Sequence, residues 1–257
     1  MPIKPHSVLG RLFHQGVLAR WKAATAVTGQ TRRGILRVQR HQARQLKSVL
    51  HEFCHRADDR LALPHIRSVN FPKPIGTDWS WRPAIWRLRL DQPGRAPVAD
   101  RTWLDDDISI FHDCPHDEIA IRQVRNLGDD DIAPFRLSME VFHFTGSYLS
   151  IVIDLPKESC HVLKKQHLLQ LGAFIETETP IAISARLNIK NGPNTEQILL
   201  TLSHGSAMAT VEFDLAYTQL NEKRAEKMWI DLMFETPQMN RITLRDLTLC
   251  RYPRAQI

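Results

Sequence analysis

Disulfide chemistry is the first thing this sequence lacks. Its 257 residues hold four cysteines, Cys54, Cys114, Cys160 and Cys250, far apart and with no Cys-x-x-Cys pair. That excludes a disulfide-stapled scaffold and a ribbon-type zinc site, and it predicts buried thiols in a reducing compartment. Long apolar runs are missing as well. Val8–Phe13 is broken by Gly10 and Arg11, and Val17–Trp21 by Arg20. Neither approaches the roughly 20 residues of a membrane span or the roughly 7–15 of a signal-peptide core. The expectation is a cytoplasmic protein, with attachment at the periphery of the inner membrane or an Arg-rich organelle transit peptide as alternatives. Catalytic fingerprints are absent too: there is no Gly-x-Ser-x-Gly elbow, no phosphate-cradling glycine loop and no dinucleotide motif, so no cofactor is predicted. No solenoid or propeller repeat and no low-complexity tract appears.

Acidic residues are missing from the front of the chain, where the first is Glu52. Residues 1–60 hold 12 Lys+Arg against 3 acids, leaving 22 against 25 for the rest, out of totals of 34 and 28. A basic segment is therefore joined to a mildly acidic body. The question of an anionic partner belongs to the first sixty residues.

At 100° per residue, Arg33–Ala57 places Ile35, Leu36, Val38, Ala43, Leu46, Val49, Leu50, Phe53 and Cys54 on one side. Arg33, Arg37, Arg40, Arg44, Lys47 and His51 form an adjoining stripe about 80° wide. This predicts an amphipathic basic helix, with Gln39 and Gln42 intruding on its apolar face. A poorer helix over about 8–24 precedes it, and a Thr-Gly-Gln-Thr break separates the two. Three uses fit: binding an anionic membrane surface through Arg33, Arg37, Arg40, Arg44 and Lys47, binding nucleic-acid phosphates, or packing on the body or on a second copy of itself. No zinc finger, basic zipper or RNA-reading aromatic motif accompanies the stripe, so nucleic acid is not expected.

Residues 61–84 contain Pro64, Pro72, Pro74 and Pro83 with Gly76, a density that breaks helices and strands and predicts a linker. From Ile85 the period changes from 3.6 to 2, as in Trp86–Leu90, Ile119–Val124 and Val211–Leu215. Phe135–Asp154 reads as a β-hairpin turning at Thr145-Gly146. Further strands are predicted at about 167–176, 181–190, 197–203, 208–217, 228–235 and 242–250, with a turn at Asn191-Gly192-Pro193-Asn194. So many short strands without long helices predict a mainly β fold, an antiparallel two-sheet sandwich of jelly-roll type over residues 85–257.

Trp229–Phe234 followed by Ile242–Leu249 resembles the last two strands of carbohydrate-binding jelly rolls, where a Trp-led strand precedes an I-x-L-x-D-L-x-L run. The whole chain also resembles an uncharacterised bacterial family, through FHDC at Phe111–Cys114, RQVRN at Arg122–Asn126, NGPNTEQ at Asn191–Gln197 and VEFDLAY at Val211–Tyr217. That resemblance implies a bacterial source and leaves the activity open.

Several constellations carry chemistry. His51-Glu52-Phe53-Cys54-His55 matches H-E-x-x-H, with Asp78 as a third ligand downstream, which would make a zinc hydrolase. Only basic helix precedes it, where such peptidases carry a sheet, and Arg44 and Lys47 on the same stripe oppose a cation. His112, Cys114 and His116 alternate beside Asp113, Asp117 and Glu118, spacing that permits a metal site, whereas Pro115 favours a strand end around a buried Cys. Asp105–Asp107 and Asp129–Asp131 offer oxygen ligands for Ca²⁺ or plain acidic loop tips. Trp79, Trp81 and Trp86 lie within eight residues beside Asp78 and Arg82. They either form a saccharide-stacking platform or pin the linker by burial. Glu140, Asp154, Glu212 and Asp214 sit on predicted strands as candidate paired carboxylates. The reading that results is a binding or scaffold protein, its sandwich attached or oligomerised through the basic helix. Carbohydrate binding, peripheral membrane attachment and zinc hydrolysis are the alternatives.

Overall fold

The computed structural model describes residues 8–61, 71–128, 131–202, 208–222 and 224–254, excepting the side chains of 8–10, 48, 51, 52 and 54–61. It divides into two compact units, Met1–Ala57 and Asp58–Ile257. The first holds α1 (Val8–Ala26), a single 3₁₀ turn at Thr28–Gln30, and the start of α2 (Arg33–Leu61). Threonine hydroxyls make the break between the helices. Thr28 Oγ1 donates to Ala24 O at 3.0 Å and Thr25 O at 2.9 Å, and Thr31 Oγ1 donates to Val27 O at 2.8 Å. Those bonds satisfy the last carbonyls of α1 and let the chain leave the helix.

The second unit is built from strands: β1 (Trp79–Trp81), β2 (Gly94–Arg95), β3 (Thr102–Trp103), β4 (Ile108–His112), β5 (Ile119–Arg125), β6 (Phe135–Val141) and β7 (Leu149–Asp154), then β8 (His167–Thr177), β9 (Ile183–Asn191), β10 (Asn194–Leu202), β11 (Ala209–Asp214), β12 (Ala225–Phe234) and β13 (Asn240–Pro253). A one-turn helix, α3 (Ala84–Arg87), follows β1. The first sheet runs β11-β8-β13-β6-β5-β2, with β1 also on β13; the second runs β10-β9-β12-β7-β4-β3. All the pairings are antiparallel. This is the mainly β two-sheet sandwich that the period-2 patterning predicts.

The core follows from that period. Leu171, Ala173 and Ile175 face Leu249, Leu247 and Leu244 within the first sheet, flanked by Leu169 and Ile242. Ile183, Ala185, Leu187 and Ile189 face Ile230, Leu232 and Phe234 within the second, and all of them are buried. Each large side chain so enclosed contributes about 1.5–3 kcal/mol. Gly192, at φ +61°, opens the two-residue connection between β9 and β10 with Pro193 second, the backbone a primed hairpin turn demands.

Two expectations fail, each for a local reason. Phe135–Asp154 is not a hairpin: β6 pairs with β5 and β13 in the first sheet, and β7 pairs with β4 and β12 in the second. The segment between them is an arch from sheet to sheet, anchored by buried Phe144 and by Asp113, which accepts from Ser147 N (2.7 Å), Ser147 Oγ (2.6 Å) and Tyr148 N (3.1 Å). Trp86–Leu90 is not a strand. Ile85 and Trp86 are consecutive and both buried in α3, and Gln123 ties that segment down by donating to Ile85 O and Leu88 O at 2.6 Å and accepting from Leu90 N at 2.8 Å. The end of the proline-rich stretch packs on the sandwich. Phe71 is buried, Asp78 N donates to Arg251 O at 3.0 Å, and β1 adds to β13.

Candidate functional site

Helix α2 carries Arg33, Arg37, Arg40, Arg44 and Lys47, all exposed. The described large apolar residues of the other side are exposed too, Phe53 at 67% and Val49 at 64%, with only Leu36 partly covered. The His51-Glu52-x-x-His55 side chains lie outside the described residues.

The tryptophan cluster is not an open platform. Trp86 is fully enclosed and its Nε1 donates to Leu244 O at 3.1 Å, so no ring can stack on it. Trp79 and Trp81 pair with Arg251 and Leu249 and share their inward face, packing against the core from its rim. Arg82, on the same segment, is buried with Nη2 2.7 Å from Asp246 Oδ2. Burial pushes the Asp246 carboxyl up, against the pull of Arg82. Asp78 holds the buried Arg251 guanidinium at 2.9 Å.

A different surface brings aromatic and polar groups together: the outward face of the second sheet. Antiparallel register lines up Trp103 (β3), Ser109 (β4), Val152 (β7), Asp231 (β12), Arg186 (β9) and Leu199 (β10) in one row. In the next row Trp229 lies between Asp154 on β7 and Asn188 on β9. Trp103 is half-exposed and Trp229 partly buried, whereas Ser109, Asp231 and Asn188 are sunk between taller neighbours. Asp231 Oδ2 accepts from Arg186 Nε (2.9 Å) and Nη2 (2.7 Å) and from Asn188 Nδ2 (3.0 Å), and Asn188 Oδ1 accepts from Gln197 Nε2 at 3.0 Å. These bonds fix the direction in which each remaining donor and acceptor points. Lys227 Nζ sits 2.8 Å from Asp154 Oδ2 and 5.8 Å from the Trp229 ring centre. Ser109 Oγ is buried without a hydrogen-bond partner.

Sequence reasoning passed over Trp229 as a site residue, although the signal is there. In Met228–Phe234 the inward phase is Met228, Ile230, Leu232 and Phe234, so Trp229 falls in the polar phase with Asp231. A large aromatic in the outward phase of a central strand has no core to fill.

The remaining constellations have structural employment. His112 is buried. Its Nδ1 accepts from Cys114 N at 3.2 Å and its Nε2 donates to Val98 O at 2.9 Å, so neither nitrogen offers a lone pair to a metal. Burial pushes the Cys114 thiol up, but backbone N–H groups of His116, Thr145 and Gly146 outweigh that and leave it below the usual range. Asp105 Oδ1 caps the β3–β4 loop through Asp107 N and Ile108 N. Asp131 receives Arg245 at 2.6 Å, and Asp129 and Asp130 lie outside the described residues. Among the described residues no group of three or more His, Cys, Asp or Glu side chains is placed to hold a metal ion. Glu140 and Asp154 stand on opposite sheets, paired with Arg122 and Lys227. Glu212 accepts from Tyr252 Oη at 2.5 Å, and Asp214 pairs with Arg254 at 3.2 Å. No described helix is long and apolar enough to cross a membrane.

The model of a family of unknown function, DUF6478, matches residues 1–257. No curated protein matches the chain. Among solved structures it is similar to a family 11 carbohydrate-binding module from Clostridium thermocellum in complex with a β-1,3-1,4-mixed-linked tetrasaccharide, at 11% identity and TM-score 0.40, covering 63% of this chain and 98% of that one. A xylan-binding domain from Paenibacillus barcinonensis gives 8% identity and TM-score 0.36, over 63% and 94%. The enzymatically active domain of tailspike protein 4 from bacteriophage CBA120 gives 8% and 0.40, over 56% of this chain but 19% of that one, so the chain spans less than a fifth of the phage protein.

Proposed function

We propose, for a chain that belongs to the family of unknown function DUF6478, that its sandwich is a saccharide-binding module whose ligand lies on the outward face of the second sheet. The observation that carries the reading is Trp229 set between Asp154 and Asn188, beside the Arg186–Asp231–Asn188–Gln197 network. A pyranose has a C–H face that stacks on an indole and an equatorial belt of hydroxyls that both donate and accept. An aromatic flanked by oriented carboxylate, amide and guanidinium groups meets both demands. Trp103 lies three strands away across β4 and β7, roughly 14 Å at ordinary strand spacing, so the face suits a chain of sugars better than one ring. Asp154 is held by Lys227 and Asp231 by Arg186 and Asn188, an arrangement for holding hydroxyls rather than for trading protons with a scissile bond.

A glycan array that includes mixed-linked β-glucan and xylan, probed with the full chain, supplies the ligand. Trp229→Ala and Asp231→Asn should each remove the signal, while Trp103→Ala weakens binding to longer chains only. Undiminished binding by a folded Trp229→Ala protein would sink this assignment.

A further inference from the structure

Beyond that reading, we infer that the N-terminal helical unit docks on an anionic lipid surface. Residues 8–51 carry nine cations, Arg11, Arg20, Lys22, Arg32, Arg33, Arg37, Arg40, Arg44 and Lys47, and no carboxylate. The same helices expose a run of large apolar side chains: Leu12, Phe13, Val17 and Leu18 on α1, and Ile35, Val38, Leu46, Val49, Leu50 and Phe53 on α2. On α2 these apolar residues fall in one sector, and the cationic stripe begins at its edge with Lys47 and Arg40. Lysine and arginine stems reach toward that edge while their charges stay in water.

The occupant must satisfy both features. A nucleic acid would neutralise the cations but offers nothing to ten exposed apolar side chains. A second copy would cover the apolar sector but bring nine further cations to the same place against one carboxylate per unit, Glu52, and like charges disfavour that association. An anionic bilayer meets both: acyl chains and headgroup boundary for the apolar sector, lipid phosphates for the stripe. Helix α2 is 29 residues, about 43 Å long, enough to lie across several headgroups.

The test uses the full chain and phosphatidylcholine vesicles with and without phosphatidylglycerol. In low salt the protein should sediment with the anionic vesicles, not with the zwitterionic ones, and high salt should release it. Removing three stripe charges in Arg37→Gln, Arg40→Gln, Arg44→Gln should weaken partitioning about fivefold per charge, roughly 150-fold together. Val49→Ser with Phe53→Ser should also weaken it, while the tryptophan fluorescence of the sandwich stays native. Equal binding to both vesicle types, no binding in low salt, or an unaffected triple variant overturns the inference. So does a dimer in solution that the Val49→Ser, Phe53→Ser protein loses while vesicles are ignored, which would make a second copy the occupant. Capture by a duplex oligonucleotide that anionic vesicles fail to compete would give the unit to nucleic acid. Loss of saccharide binding with vesicle binding retained would leave this inference standing, and the reverse would remove it alone.

Discussion

Asp107 sits at the β3–β4 corner beside the candidate face, its backbone carbonyl accepting from Asp154 N at 2.8 Å. Burial first, then the charges of Asp105, Asp106 and Asp154, push its carboxyl from 3.8 up to about 6, with partial relief from Arg87. Between those two values the folded chain binds the proton that the unfolded chain releases. The ionised carboxylate is therefore a cost to the native state, absent in acid, growing as the pH rises toward 6 and constant above it. The full gap corresponds to about 3 kcal/mol, which partial exposure of the carboxyl and solvent screening reduce to about 1–2 kcal/mol. Asp107→Asn removes the charge and leaves the backbone bonds of the corner in place. Urea unfolding followed by tryptophan fluorescence should show the variant about 1–2 kcal/mol more stable than wild type near pH 7 and nearly equal to it near pH 4. An Asp107→Asn protein that is less stable near neutrality, or equally shifted at both values, refutes the reasoning.

The arch between the sheets predicts a steric effect: a Cβ on Gly146 would overlap Asp113 Oδ1 and crowd Cys114 N and the Phe144 ring. Gly146→Ala should cost about 1–3 kcal/mol in thermal unfolding, and an unchanged melting temperature would mean that Asp113 does not hold this segment as described. Trp86→Ala removes the largest fully buried side chain and its bond to Leu244 O, so it should cost about 3–5 kcal/mol. Unimpaired stability would return Trp86 to the surface that the sequence alone allowed it.

The sandwich was legible because half-buried β-strands alternate, and alternation is visible in a core row such as Ile183, Ala185, Leu187 and Ile189 without knowledge of its neighbours. What alternation does not tell is which strand a segment joins. Phe135–Val141 and Leu149–Asp154 have the period of a hairpin and the right spacing for one. Yet the arch residue Phe144 is buried between them, and Asp113, more than thirty positions away from Ser147, holds the connection. Long-range anchors of this kind leave no trace in local pattern. The tryptophans misled in the same way. Proximity in sequence grouped Trp79, Trp81 and Trp86, whereas register gave the first two to the inward face of β1 and set Trp229 outward beside Asp154 and Asn188.

The six tryptophans, at 21, 79, 81, 86, 103 and 229, make the central claim directly measurable. In a nitrogen-15 correlation spectrum of the intact chain, titration with the glycan identified on the array should move the indole N–H signals of Trp229 and Trp103. Those of Trp79, Trp81 and Trp86 should stay where they are. Shifts confined to Trp79 and Trp81, with Trp229 unmoved at saturation, would contradict the placement of the ligand on the second sheet.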